Sequence, residues 1–137
     1  MLSLLVLNNI ITQHRFPFLH HGDTYEKRAP IKNLLNENGY TIGYVTIDNF
    51  DWYINSKVVK AFKSGMQINF DNLKKLYIDA LWHSITFYDD LAKDYLKRSP
   101  KHVLLLHENE LATLFLGDFL EHSTSKGWTI ITPASAY

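Results

Sequence analysis

The chain has 137 residues, 46% hydrophobic and 20% charged, as expected of a globular protein folding as one domain over residues 1–137. Lysine plus arginine and aspartate plus glutamate balance at 14 each with no like-charge run, so no nucleic-acid or polyanion partner is expected. The absence of cysteine excludes disulfides and thiolate metal sites.

In chain order, Leu2–Gln13 is apolar at helical spacing (Leu2, Leu5, Val6, Ile10) and reads as the end of a helix. Its run Leu4–Leu7 follows no basic residue, is too short for a membrane span and makes a poor signal peptide. Arg15-Phe16-Pro17-Phe18-Leu19 must leave the helix, because proline forces its predecessor into an extended state. His20-His21-Gly22-Asp23 is a turn, and Thr24 caps a helix Tyr25–Asn38. Ala29, Ile31, Leu34 and Leu35 form its inner side, and Gly39 ends it. The β-branched and aromatic residues of Tyr40–Ile47 predict a strand.

A helix is expected at Ser56–Lys63, stopped by Ser64-Gly65. A long one follows, capped by Asn69 or Asp71 and running to Arg98. Its apolar face reads Leu73, Leu76, Tyr77, Ala80, Leu81, Ser84, Phe87, Tyr88, Leu91 and Tyr95, and Ser99-Pro100 breaks it. The short apolar run His102–Leu106 predicts a strand buried on both faces of a parallel sheet. A helix Glu110–Ser125 closed by Gly127, a strand Trp128–Ile131 and a helical turn from Thr132-Pro133 complete the chain. The order predicts α/β architecture with parallel strands and right-handed crossovers.

Three predicted strand ends carry polar chemistry. Asp48, Asp51 and Trp52 follow the strand Tyr40–Ile47, Arg15 precedes Phe16-Pro17-Phe18, and His107 follows Val103–Leu106. Ligands and catalysis concentrate just past such ends. The competing reading makes the aspartates helix caps, Trp52 and Leu105 core, and Arg15 a surface group. An ionisable group such as His107 at the end of a buried strand needs a partner. His14, His20, His21 and Asp23 are metal-ligating by type, but their spacing is unlike a helical or strand ligand pair. His83 and His122 lie on helices and read as solvated or half-buried.

The segments Arg15-Phe16-Pro17-Phe18, Asp48-Asn49-Phe50-Asp51-Trp52 and Leu104-Leu105-Leu106-His107 resemble, in order, the third, fourth and fifth motifs of the polysaccharide deacetylases. Gly127–Pro133 resembles the last strand and closing helix of that family of carbohydrate esterases. The resemblance spans residues 14–137 and implies the carboxyl-terminal half of a distorted (β/α) barrel, with about four parallel strands and one long inserted helix. It departs from the family at Phe18, where tyrosine is usual, and at Leu19-His20-His21, where a glycine often follows.

The resemblance implies metal-dependent hydrolysis of N- or O-acetyl groups on carbohydrate. His107 would be the general acid, with an aspartate beside it, Asp51 more than Asp48. Arg15 would hold the family's aspartate base through a charge-assisted fork. The backbone N–H of Phe18 would face the oxyanion, and Trp52 and Leu105 would wall the acetyl-methyl pocket. The family's divalent metal, zinc by type, is bound by an aspartate and a His-x-x-x-His pair upstream of the Arg-Phe-Pro-Phe segment. Only thirteen residues precede His14 here, so this chain is expected to bind no metal and to be inactive as it stands. The alternative is a non-catalytic remnant that binds carbohydrate or a partner chain. His107, Asp51, Trp52 and Arg15 are expected to converge on one face. The open inner face of half a barrel (Val45, Ile47, Leu104, Leu106) is expected to drive self-association or pairing with another chain.

Overall fold

The computed structural model describes residues 2–3 and 13–136. The chain order is β1 (Leu2–Ser3), β2 (Gln13–His14), a 3-10 turn (Pro17–Leu19), α1 (Tyr25–Glu37), β3 (Thr41–Ile42), α2 (Asp51–Lys63), α3 (Phe70–Leu96), β4 (His102–Val103), α4 (Glu110–Ser125), β5 (Ile130–Ile131) and α5 (Pro133–Ala136). Every ladder is parallel: β1 lies between β4 and β5, and β2 pairs with β3. One further parallel bridge joins Ile47 to Leu104.

This overturns the expected half barrel of about four parallel strands. Helix makes up 61% of the structure and strand 8%, and each strand is two residues long. The last bond of the β2–β3 ladder runs from the Gly43 N–H to the His14 carbonyl (2.8 Å). Next to β4 the Thr46 hydroxyl, rather than a backbone carbonyl, accepts the Val103 N–H (2.8 Å). The expected strands Tyr40–Ile47, His102–Leu106 and Trp128–Ile131 therefore shrink to β3, β4 and β5. The helix expected over Leu2–Gln13 is replaced by strand at both ends, and its middle lies outside the described residues.

Helices supply the core instead. In α3 the fourfold spacing Leu73, Tyr77, Leu81, Ile85 lines one stripe, and Leu111, Phe115 and Phe119 do the same in α4. The two stripes pack on each other and on Ile47 and Leu104. Each fully buried aliphatic or aromatic side chain contributes about 1.5–3 kcal/mol of hydrophobic stabilisation. Ile47 and Leu104 thus sit at the centre of a helical core, with Leu106 partly buried against it, and not on an open barrel interior. The α3 stripe is narrower than its sequence period suggests: Leu76, Phe87, Leu91 and Tyr95 are exposed.

Side-chain caps start α3 and α4, whereas Thr24, the expected cap of α1, makes no side-chain cap bond. Asn69 accepts from the Asn72 N–H at the start of α3, and Asn109 accepts from the Ala112 N–H at the start of α4. Lys97 ends α3 in the left-handed region, at φ 56°. Helix α2 begins at Asp51, five residues ahead of the expected Ser56, so Asp51, Trp52 and Tyr53 belong to its first turn. By contrast α1 buries none of its side chains. Ile31 and Leu34, expected on its inner side, are exposed.

Candidate active site

The parallel bridge between Ile47 and Leu104 decides where the polar groups go. Thr46 and Ile47 N–H both donate to the Val103 carbonyl, and Leu105 N–H donates to the Ile47 carbonyl (3.0 Å). Because the two segments run the same way, Asp48–Asp51 and Leu105–His107 emerge at the same end. Asn49 then fastens the two loops. Its side-chain N–H donates to the Leu105 carbonyl, and its oxygen accepts the Asp51 N–H (2.8 Å), starting α2.

Asp51 is the buried centre of this end, its side chain wholly shielded from solvent. Its Oδ1 accepts from His107 Nδ1 at 2.7 Å. Its Oδ2 accepts the His107 backbone N–H (2.9 Å) and Asn109 Nδ2 (3.2 Å). A carboxylate only accepts, so Nδ1 of His107 carries the proton and the ring orientation is fixed. The His107 side chain is 44% exposed, and its Nε2 has no partner among the described residues. The arrangement is a buried carboxylate holding an imidazole whose second nitrogen meets solvent, the geometry of an acid–base pair.

Beneath it, Tyr77 is fully buried and its hydroxyl has no hydrogen-bond partner among the described residues. Burial, and secondarily the Asp51 carboxylate, pushes the Tyr77 phenol far above its ordinary range. Its hydroxyl therefore stays protonated beside that carboxylate.

The other predicted site residues divide. Trp52 follows Asp51 on α2, is 51% exposed and meets Tyr53 edge to face at 5.8 Å. Leu105 is half-buried between the two loops, and its backbone is the part that serves the site, through Ile47 and Asn49. Asp48 is exposed and accepts the N–H of its neighbour Asn49 (2.9 Å), with no bond to His107. Phe18 is fully exposed and, with Leu19, sits at positive φ (53° and 56°) in the 3-10 turn. Arg15 is half-buried and makes no hydrogen bond or ion pair with Asp48, Asp51 or His107; its Nε and Nη2 are buried without partners among the described residues.

Sequence reasoning missed Asn49, Asn109 and a second buried pair. Asp89, one step beyond Ile85 on the buried stripe of α3, accepts from His102 Nε2 (3.2 Å) and Ser99 Oγ (2.5 Å), and pairs with Lys93 (2.7 Å). His102 Nδ1 meets the Thr46 hydroxyl at 3.1 Å. Burial pushes the His102 ring below its ordinary value against the opposing pull of Asp89. Burial raises Asp89, but its bonds from Lys93, Ser99 and His102 outweigh it and leave the carboxyl below the usual range. A carboxylate on the fourfold stripe was the available signal.

Among the described residues no group of three or more His, Cys, Asp or Glu side chains is placed to hold a metal ion. Of the residues that are ligating by type, Asp23 is paired with Lys27 (2.7 Å), and the rings of His14 and His21 contact Phe16. No described helix is long and apolar enough to cross a membrane. Comparison with family models, with curated proteins and with solved structures finds no match for this chain.

Proposed function

We propose that Asp51 and His107 form the proton-transfer element of a hydrolase of the polysaccharide deacetylase type, acting on N- or O-acetyl groups of carbohydrate. The observation carrying this reading is the 2.7 Å contact from buried Asp51 to His107 Nδ1, which leaves Nε2 open to solvent. His107, protonated on Nε2, would donate to the departing amine or alcohol. Asp51 would hold the ring and balance its positive charge. Trp52, half-exposed on the first turn of α2 next to Asp51, would offer its indole to a sugar ring. The deacetylase identity itself rests on the three ordered motifs.

The described residues carry no donor set for the family's metal, so activation of the attacking water is not assigned to them. The 137-residue chain by itself should therefore release acetate from N-acetylated chito-oligosaccharides no faster than buffer does. The same oligomers should shift the His107 ring and Trp52 indole signals in NMR spectra. Silence of both signals would overturn the reading. Chelator-sensitive acetate release would overturn the inactivity and point to a metal site.

A second reading, a carbohydrate- or partner-binding remnant without catalysis, is favoured by the same lack of a donor set. It predicts that Trp52 responds to the oligomer and His107 does not. We also propose that the chain self-associates or binds a partner chain through its amino-terminal part, because α1 exposes Tyr25, Ile31 and Leu34 and buries nothing. A sedimentation profile of a monomer at all micromolar concentrations would remove self-association.

A further inference from the structure

The exposed face of α2 continues away from the dyad as a basic row. Lys57 and Lys60 lie four and seven residues after Tyr53, hence on its face of the helix, and Lys63 follows one turn later. All three lysines are exposed. Four lysines elsewhere are neutralised, Lys27 by Asp23, Lys74 by Asp118, Lys75 by Asp79, and Lys93 by Asp89 and Asp90, whereas Lys32, Lys97, Lys101 and Lys126, scattered over other elements, pair with no carboxylate among the described residues. Among the described residues none of the three α2 lysines pairs with a carboxylate; Lys57 instead lies 4.7 Å over the Tyr53 ring. Asp51, the single acidic residue of α2, is buried in the dyad. The overall charge balance therefore hides a local surplus.

The row borders an open cleft of about 430 Å³ lined by Asn55, Ser56, Val59, Lys60, Lys63 and Glu110. Glu110 is its one carboxylate and is held by Asn55 Nδ2 (2.6 Å). From Trp52 the surface thus passes from aromatic to cationic with an apolar floor at Val59, over about 9 Å from Lys57 to Lys63.

We infer that the exposed face of α2 is a binding track for an acidic oligosaccharide, a sugar face on Trp52 and its carboxylates on Lys57, Lys60 and Lys63. This rests on the dyad reading only for the direction of the chain, with the acetylated end at His107. An extended polyanion such as single-stranded nucleic acid fits less well, since the aromatic platform is confined to one end and the whole chain carries no net positive charge.

Two N-acetylated probes of equal length separate the contributions: neutral hexa-N-acetylchitohexaose, and a hyaluronan hexasaccharide that alternates N-acetylated and carboxylate-bearing sugars. Affinities and residue-resolved NMR shifts are measured for the native chain and for the triple variant Lys57→Gln/Lys60→Gln/Lys63→Gln. Single exposed ion pairs are weak, and three together should favour hyaluronan about tenfold at low salt. The preference should vanish in the triple variant and at high salt, while binding of the neutral oligomer stays unchanged. Equal affinity for the two probes, or a preference that survives the triple variant, overturns the track. A single-stranded oligonucleotide of the same charge binding as well as hyaluronan also overturns it. If the neutral oligomer shifts His107 without any preference for hyaluronan, the track fails and the dyad reading stands. If hyaluronan shifts α2 while His107 stays silent, the track stands and the dyad reading fails.

Discussion

Two aspartate–histidine pairs flank the same short segment, five residues apart, and they have opposite characters. His102 is buried and spends both ring nitrogens, Nε2 on Asp89 and Nδ1 on the Thr46 hydroxyl, while Lys93 and Ser99 complete the carboxylate. His107 spends only Nδ1, on Asp51, and turns a half-exposed ring to solvent. The residue types are identical, so composition cannot separate them. What separates them is the nitrogen left over. A fully satisfied buried imidazole locks α3 to β4, whereas one with an open nitrogen can exchange a proton with a ligand.

The largest expected effect falls on the closed pair. His102→Ala removes a buried ring and leaves Asp89 and Thr46 short of a partner, at a cost of about 3 kcal/mol in denaturant unfolding. Loss below about 1 kcal/mol would place His102 outside the structural network. The same pair should make the fold acid-sensitive. The folded-state value of His102 is lowered, so the unfolded chain takes up its proton first. The stability it contributes is present above the ordinary value of 6.5 and declines as pH falls through 6.5 toward the folded value. Asp89 is lowered as well, so its contribution is present above 3.8 and is lost as pH falls through its folded value. His102→Ala should flatten the upper of these two losses in unfolding curves taken against pH. An unchanged profile in that variant would detach the first loss from His102.

The smallest stability effect is expected at the open pair's ring. His107→Ala removes a half-exposed ring and takes away the partner of Asp51 Oδ1 while the backbone N–H stays bound to Oδ2, and should cost about 1–2 kcal/mol, less than His102→Ala. It should also abolish any NMR response of the dyad to acetylated oligosaccharide. A cost as large as that at His102 would make the two pairs alike and both structural.

Much of the helical frame was legible. Glu110–Ser125 was read to the residue, with Gly127 as its closing signal, although its cap Asn109 was missed. The start of α3 was read as capped by Asn69 or Asp71, and Asn69 is the one that caps it. The strands were overread because β-branched, apolar runs describe burial as well as pairing. Tyr40–Ile47 has that character, yet its pairing with β2 ends at the Gly43 N–H, and next to β4 Thr46 substitutes a side chain for a backbone carbonyl. The barrel inherited from the resemblance fails for the same reason. The start of α2 was misplaced because its leading turn is stabilised by Asn49, two residues before Asp51 and outside the usual capping pattern. Asp51 and His107 were singled out as polar groups at predicted strand ends, but only motif order suggested that they meet, since nothing local links residues 56 apart in sequence. His102 was read as part of an apolar strand, and Asp89 passed unnoticed on an otherwise hydrophobic stripe.

The most direct measurement is the tautomer of each histidine, from long-range proton–nitrogen correlation spectra at a pH where the rings are neutral. Asp51 on Nδ1 predicts an Nδ1–H ring for His107, and Asp89 on Nε2 predicts an Nε2–H ring for His102. Opposite tautomers, with only His107 shifting when acetylated oligosaccharide is added, are the predicted result. An Nε2–H ring at His107, or a shift confined to His102, would contradict the assignment of Asp51 and His107 as the proton-transfer pair.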